Sequence, residues 1–440
     1  MSSRTGSGRR EHCQQNIVRK TTLTQTVPKN KRSVLLSGCI INLLAVSTVF
    51  MTQSIFLELS QTFRTDITEA RFSFSVVSLF YCVSFFFLGP AADKFNLPRM
   101  ALTGMLLLAI TVFYSSLTSD FSLFIIAMAC MGISAAIVPA SMFPYIAKTA
   151  PANKIGVYMG SIVASGTLGV ILGRVSMGIM TALVGWQVSF RIVSAALVIL
   201  AAATFPYLAK GNDGTVKNTQ KLSRLYLNSL QLLSNAKILS FFLIGFCLFI
   251  GFLGMVTFLT YRLIGPPFNF TSGEIGWISF AGITALIAPY AGYLSQKFGQ
   301  YRTIFISLVV CLLSFQLMGW FQSVTLTAIG ILLLFLGVYT CQPLVFVLIG
   351  RSAPREAIGS ASALYILFCV GGGSLSSIFL GPVWRSFGWS GVTAICTISL
   401  MISLSILTMH TCRERRAAHP ETGKAPGLNS GTTDRGGSNY

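Results

Sequence analysis

The chain has 440 residues, of which 53% are hydrophobic and 10% charged, and its mean hydropathy is +0.71. Soluble domains carry about 25% charged residues, so this composition excludes an ordinary soluble enzyme or binding module. It reads as a polytopic membrane protein with a net charge of +20.

In chain order, residues 1–32 form a polar, basic tail. Twelve apolar segments then follow at 33–57, 71–92, 100–117, 121–147, 155–183, 188–208, 238–261, 275–294, 303–321, 324–349, 358–383 and 391–410. Each is long enough to cross ~30 Å of hydrocarbon as a helix. None shows the apolar-polar alternation of a barrel strand, so the expected fold is all-α. A polar break at 210–237 divides the spans into an N-terminal half (33–209) and a C-terminal half (238–411) of six each. The Gly-, Ser- and Thr-rich tail at 412–440 is expected to be disordered.

Charge placement predicts orientation. Counting the termini and the even-to-odd loops, 26 of the 32 Lys and Arg fall on one face. The positive-inside rule then puts both termini in the cytoplasm. The basic charge is topological and needs no nucleic-acid partner; basic tails near anionic lipid fit it as well. Eight of the ten Cys lie inside spans, without a CxxC pair, and read as small buried residues. No metal site, disulfide framework or cofactor is expected.

The two halves repeat with one offset. Gly89 with Lys94-Phe95 recurs as Gly292 with Lys297-Phe298, Ala150-Pro151 with Ile155-Gly156 as Ala353-Pro354 with Ile358-Gly359, and Gly185-Trp186 as Gly388-Trp389, each 203 residues later. Three loci in register signal internal duplication. Paired six-helix halves around a central site are a recurring design of secondary transporters.

GPAADKFNLPR (Gly89 to Arg99) resembles the cytoplasmic loop signature of the major facilitator superfamily, with Gly89, Asp93 and Lys94 matching and Asn96 replacing a Gly. The second copy, GYLSQKFGQYR (Gly292 to Arg302), keeps Gly299 but has Gln296 in place of the Asp. Within the superfamily the chain is most similar to the bacterial YnfM-type inner-membrane efflux branch, on SGTLGVILGR (Ser165 to Arg174), FLTYRL (Phe258 to Leu263), ASALYILF (Ala361 to Phe368) and FGWSGV (Phe387 to Val392). The resemblance implies a conformational latch across the halves, near span 11, formed from Gly89, Asp93, Lys94, Arg99, Gly292, Lys297 and Arg302. Proton-driven efflux is the activity it implies. The branch often has an Arg four residues before a Gly in span 4; here Met128 precedes Gly132.

No acidic residue lies at the centre of a span. Glu58, at the outer end of span 1, is the leading carboxylate for coupling, followed by Glu274 and Glu69; each also reads as a solvated helix-end residue. Arg174 is the one basic residue well inside a span. Its intramembrane position makes it a partner for an anionic substrate group or for Glu58, with snorkelling as the competing reading. Asn42, Gln53 and Gln342 can hydrogen-bond a substrate or join helices. They lie on spans that line the central cavity in this superfamily; Gln316 does not. Gly156, Gly160, Gly169 and Gly173, with Gly372 in the second half, suit close backbone packing.

These features point to a monomeric carrier of small organic molecules in the bacterial inner membrane, exporting them by alternating access with protons as coupling ion. An uptake symporter or uncoupled facilitator of the same fold is the alternative. A polytopic receptor or enzyme finds no support: no HExxH, no P-loop and no globular insert.

Overall fold

The structure is a computed structural model that describes residues 29–209, 222–270, 284 and 286–418. The described residues form helices and no strand. In the first half these are α1 (Lys29–Phe50), α2 (Phe56–Phe63), α3 (Ile67–Lys94), α4 (Leu97–Ser115), α5 (Phe121–Thr149), α6 (Ile155–Val184) and α7 (Trp186–Ala209). A linker helix α8 (Leu222–Ser234) leads to α9 (Ala236–Ile264), α10 (Ala288–Phe298), α11 (Gln300–Trp320), α12 (Val324–Ser352) and α13 (Ile358–Ala418).

Ten helical segments among the described residues are long and apolar enough to span a membrane. The last, Arg355–Cys412, has 58 residues. At 1.5 Å per residue it is ~87 Å long, far more than one ~30 Å crossing needs. Gly388 breaks it with φ 61° and ψ −147°, and so it makes two passes. Of the expected span at 275–294, residues 284 and 286–294 are described, and Glu274 lies outside the described residues.

Three expected boundaries move. Span 1 was expected to run unbroken to residue 57, but α1 stops at Phe50, and a 3-10 turn, Met51–Ser54, precedes α2. Ser47 Oγ, Thr48 Oγ1 and Ser54 Oγ each donate to the carbonyl three residues back, at 2.8, 2.8 and 3.0 Å, bonds that compete with those of the helix. The polar break at 210–237 contains α8, whose Leu225, Ser229 and Leu232 are buried. Its 3–4 residue apolar spacing is too short a signal to stand out beside the spans. At the other end α13 continues to Ala418.

The repeat holds in three dimensions. Helices α5 and α12 are both 29 residues long, begin 203 residues apart, and are capped at equivalent positions by Asp120 (to Leu123 N, 3.0 Å) and Ser323 (to Leu326 N, 3.5 Å). Such caps satisfy amides left open at a helix start. Gly185 and Gly388 both turn the chain with positive φ, 80° and 61°, a region that suits Gly. A Cβ on Gly169 would overlap the Leu43 carbonyl, and a Cβ on Gly372 would overlap that of Phe246. Both members of the second pair lie 203 residues after those of the first.

The halves meet where α3 packs on the first part of α13, and α6 on α10 and α12. The end of the bundle that carries Arg32, Lys94, Lys148, Lys154, Lys297 and Arg351 is called the basic end below.

Candidate functional site

At the basic end, Asp93 sits in the last turn of α3, 8% exposed. Its carboxylate crosses to the other half and caps the start of α13. Oδ1 accepts from Gly359 N at 2.6 Å, and Oδ2 accepts from Ser360 N at 2.8 Å and Ser360 Oγ at 2.6 Å. The first amides of a helix have no partner within it and carry its positive dipole end, so a carboxylate is well held there. Lys148 lies in electrostatic reach. One turn earlier, a Cβ on Gly89 would come within 3.0 Å of Ser360 Cα.

The other basic residues named for the latch point elsewhere: Lys94, Arg99, Lys297 and Arg302 are exposed. Asp93 is instead braced by the linker helix, which the sequence alone did not single out. Ser229 Oγ on α8 lies 2.8 Å from Ser360 Oγ, and Tyr226 OH donates to the Phe87 carbonyl of α3 at 3.0 Å. A cavity of about 370 Å³ between α8 and α13 reaches Asp93.

The equivalent contact joins α10 to α6 through glycines. A Cβ on Gly156 would come within 3.0 Å of Gly292 Cα, and one on Gly160 would overlap the Ala288 carbonyl. Gln296, 203 residues after Asp93, is exposed. Gly169 and Gly173 face the Leu43 and Ser47 carbonyls of α1 instead. The glycine stripe on α6 therefore serves two neighbours, one in each half.

Between these contacts Phe143 of α5 stacks on Phe346 of α12, centroids 4.8 Å apart at 29°. The two are 203 residues apart, so the pair is formed by equivalent residues of the repeat. Tyr365 of α13 meets Phe346 edge-on at 4.5 Å. These rings lie six residues, ~9 Å, from the basic ends of α5 and α12, and they join the halves there.

Farther from the basic end, Arg174 is half-buried on α6, its guanidinium carbon 5.5 Å from the centre of the Phe50 ring. Phe50 lies 5.6 Å from Phe74. Tyr339 of α12, in the other half, lies in electrostatic reach of Arg174 and close to Thr167 of α6. Phe335 and Phe252 approach Tyr339 at 5.9 and 6.2 Å. A cation over one ring face, with a phenol in electrostatic reach, suits an anion with an apolar body.

The remaining candidates are spread out. Glu58 is half-buried in the first turn of α2, and no ion pair joins it to Arg174 among the described residues. Glu69 is exposed in the first turn of α3. Asn42 is fully buried and donates to Ile162 O at 3.1 Å and Ser165 Oγ at 3.0 Å, tying α1 to α6. Gln53 and Gln342 are half-buried. Gln316 donates to Thr397 Oγ1 at 3.2 Å, a link within the second half. Sequence reading passed over Phe50, Thr167 and Tyr339. It also missed Phe143 and Phe346, although their equivalence at the repeat offset was legible.

The family model of the Major Facilitator Superfamily matches residues 38–377 and 256–435. The inner membrane transport protein YnfM of Escherichia coli (strain K12) is 24% identical over 361 residues, covering 82% of this chain and 86% of that protein. The putative uncharacterized transporter YgaY of the same strain is 29% identical over 366 residues, covering 81% and 91%. A bacterial homologue of the iron transporter ferroportin, solved in an outward-facing state, is similar with a TM-score of 0.71 at 14% identity, covering 88% of this chain and 100% of that one. The human organic anion transporter MFSD10 gives 0.65 at 16%, covering 86% and 100%. With its duplicated helical halves and a match that runs through nearly all of its spans, the chain belongs to the Major Facilitator Superfamily of membrane transporters.

Proposed function

We propose that this transporter exports small organic anions across the bacterial inner membrane by alternating access, as a monomer with both termini cytoplasmic and protons as coupling ion. The observation that carries the reading is the Arg174 site: a cation, Phe50 and Tyr339 brought together from α6, α1 and α12, across the line between halves. A ligand held there has the closed basic end on one side and reaches the other side only through the rest of the pathway. Asp93 and its helix-capping contact act as the latch of that closed end. The basic end is the cytoplasmic one by its charge.

The lack of an acidic residue at the centre of a span favours a second reading, uncoupled facilitation. Both readings are tested in two steps. Purified protein is screened for thermal stabilisation by small carboxylates and sulfonates, each beside its neutral amide. Stabilisation by the acids alone, lost in Arg174→Gln, supports the site; equal stabilisation by acid and amide overturns it. The best acid is then assayed in inside-out vesicles. Accumulation that collapses when the pH gradient is dissipated supports antiport; accumulation that never exceeds the outside concentration supports the facilitator.

A further inference from the structure

On the membrane-facing side of the second half, a groove of about 660 Å³ runs between the start of α11 and the end of α13. Its basic end holds Arg302 with Phe298, Tyr301 and Thr411, and Phe305 and Ile306 follow one turn deeper, 40% and 57% exposed. Arg351 of α12 lies outside this lining and donates to Gln300 Oε1 at 3.2 Å. Volumes of this order hold small organic ligands.

The equivalent place in the first half is closed. There Leu97 stands where Gln300 does and Leu208 where Thr411 does, each 203 residues earlier. Both leucines are buried, at 0% and 2% exposure. Tyr145 OH also donates to the Leu208 carbonyl at 2.5 Å, drawing α5 onto α7. Arg99 is retained at the position of Arg302, but it is exposed beside a filled seam. The duplication therefore kept the cation and, in one half only, exchanged the apolar plug for polar residues around an open groove.

We propose that this groove binds the headgroup of an anionic phospholipid, with its phosphate on Arg302 and the upper acyl chain along Phe305 and Ile306. The occupant follows from the order of chemistry along the groove. Arg302 stands at the basic end of the groove and the apolar Phe305 and Ile306 follow one turn below, the order of charged headgroup and acyl chain in an anionic phospholipid. Basic pockets between spans at the cytoplasmic side recognise anionic headgroups in this way.

The test uses the full-length protein in neutral detergent. Phosphatidylglycerol and phosphatidylcholine with identical acyl chains are added in equal amounts, and bound lipid is counted on the folded protein by native mass spectrometry. The expected result is a preference for phosphatidylglycerol that falls about fivefold in Arg302→Gln. Arg99→Gln, at the closed seam, is expected to leave the preference unchanged. Equal binding of the two lipids overturns the site, as does a preference that survives Arg302→Gln. So does a preference that appears only after removal of residues 419–440, which makes the chain's own tail the occupant. In a parallel melt, phosphatidylglycerol is expected to raise the unfolding midpoint by about 2–4 °C. Inorganic phosphate giving the same shift marks a free-anion site and overturns the lipid assignment.

Discussion

The two contacts that close the basic end occupy equivalent places in a duplicated sequence and use different chemistry. Where α3 meets α13, a carboxylate accepts three hydrogen bonds from Gly359 and Ser360, with α8 braced behind them. Where α10 meets α6, backbone lies against backbone at Gly292 and Gly156, and the residue equivalent to Asp93 is an exposed Gln. The first contact is directional and charged, so it depends on one side chain. The second depends on the absence of side chains. One contact can thus be released by changing hydrogen bonding, whereas we propose that the other is a sterically defined surface on which the halves pivot.

This difference is best broken from the steric side. Gly292→Val places branched carbons into the Gly156 backbone. Overpacking of this kind costs about 1–3 kcal/mol or more, enough to disfavour the closed basic end about tenfold or beyond, and transport in vesicles should fall accordingly. Full transport by that variant would remove the pivot. Next comes Asp93→Asn, which deletes charge-assisted hydrogen bonds that contribute about 1.5–3 kcal/mol. The closed state should lose population about thirtyfold, read as faster labelling of a cysteine replacing the buried Ala140, one turn deeper on α5, in a cysteine-free background. Ser360→Ala removes one of the three bonds and the contact to Ser229, for about 1 kcal/mol and roughly fivefold faster labelling. Gln296→Ala should be silent, within about 0.5 kcal/mol. A Gln296→Ala effect as large as that of Asp93→Asn would show the two contacts to be alike after all.

A similar contrast holds at the far end of the bundle. Trp186 joins Phe63, Phe124 and Phe190 in an aromatic cluster and donates to Thr62 Oγ1 at 2.9 Å. Its counterpart Trp389 packs against Arg262, 4.8 Å from ring centre to guanidinium carbon. That Arg donates to the Met318 carbonyl and, at 3.0 Å, to the Phe321 carbonyl, closing the C-terminus of α11. The shared Gly-Trp pair marks the same turn in both halves, while the groups that fix it have diverged. Arg262→Gln should therefore destabilise the second half by about 1–2 kcal/mol, and a thermal melt would register it.

Sequence reading recovers what depends on long periodic signals. The spans, the paired halves and the repeat offset follow from apolar length and from Gly, Pro and Trp at helix ends, because lipid leaves few other options for the backbone. It also places Asp93 at the meeting of the halves, near span 11, through the loop signature. Its partner is not legible there, since the donors are backbone amides of Gly359 and Ser360 and carry no distinctive side chain. The same limit hides Phe50 and Tyr339. Among 34 Phe and 13 Tyr, the few that frame Arg174 are selected only by how α1, α6 and α12 turn toward one another. Phe143 and Phe346 stack because they sit near the axis relating the halves, a fact that the repeat contains and that periodicity along one helix does not.

The most direct measurement places spin labels on the basic ends of α5 and α12 and records their distance distribution in wild type, Asp93→Asn and Gln296→Ala. A one-sided latch predicts a single short distance in wild type and Gln296→Ala, and a second, longer population in Asp93→Asn. Identical distributions in all three would contradict it.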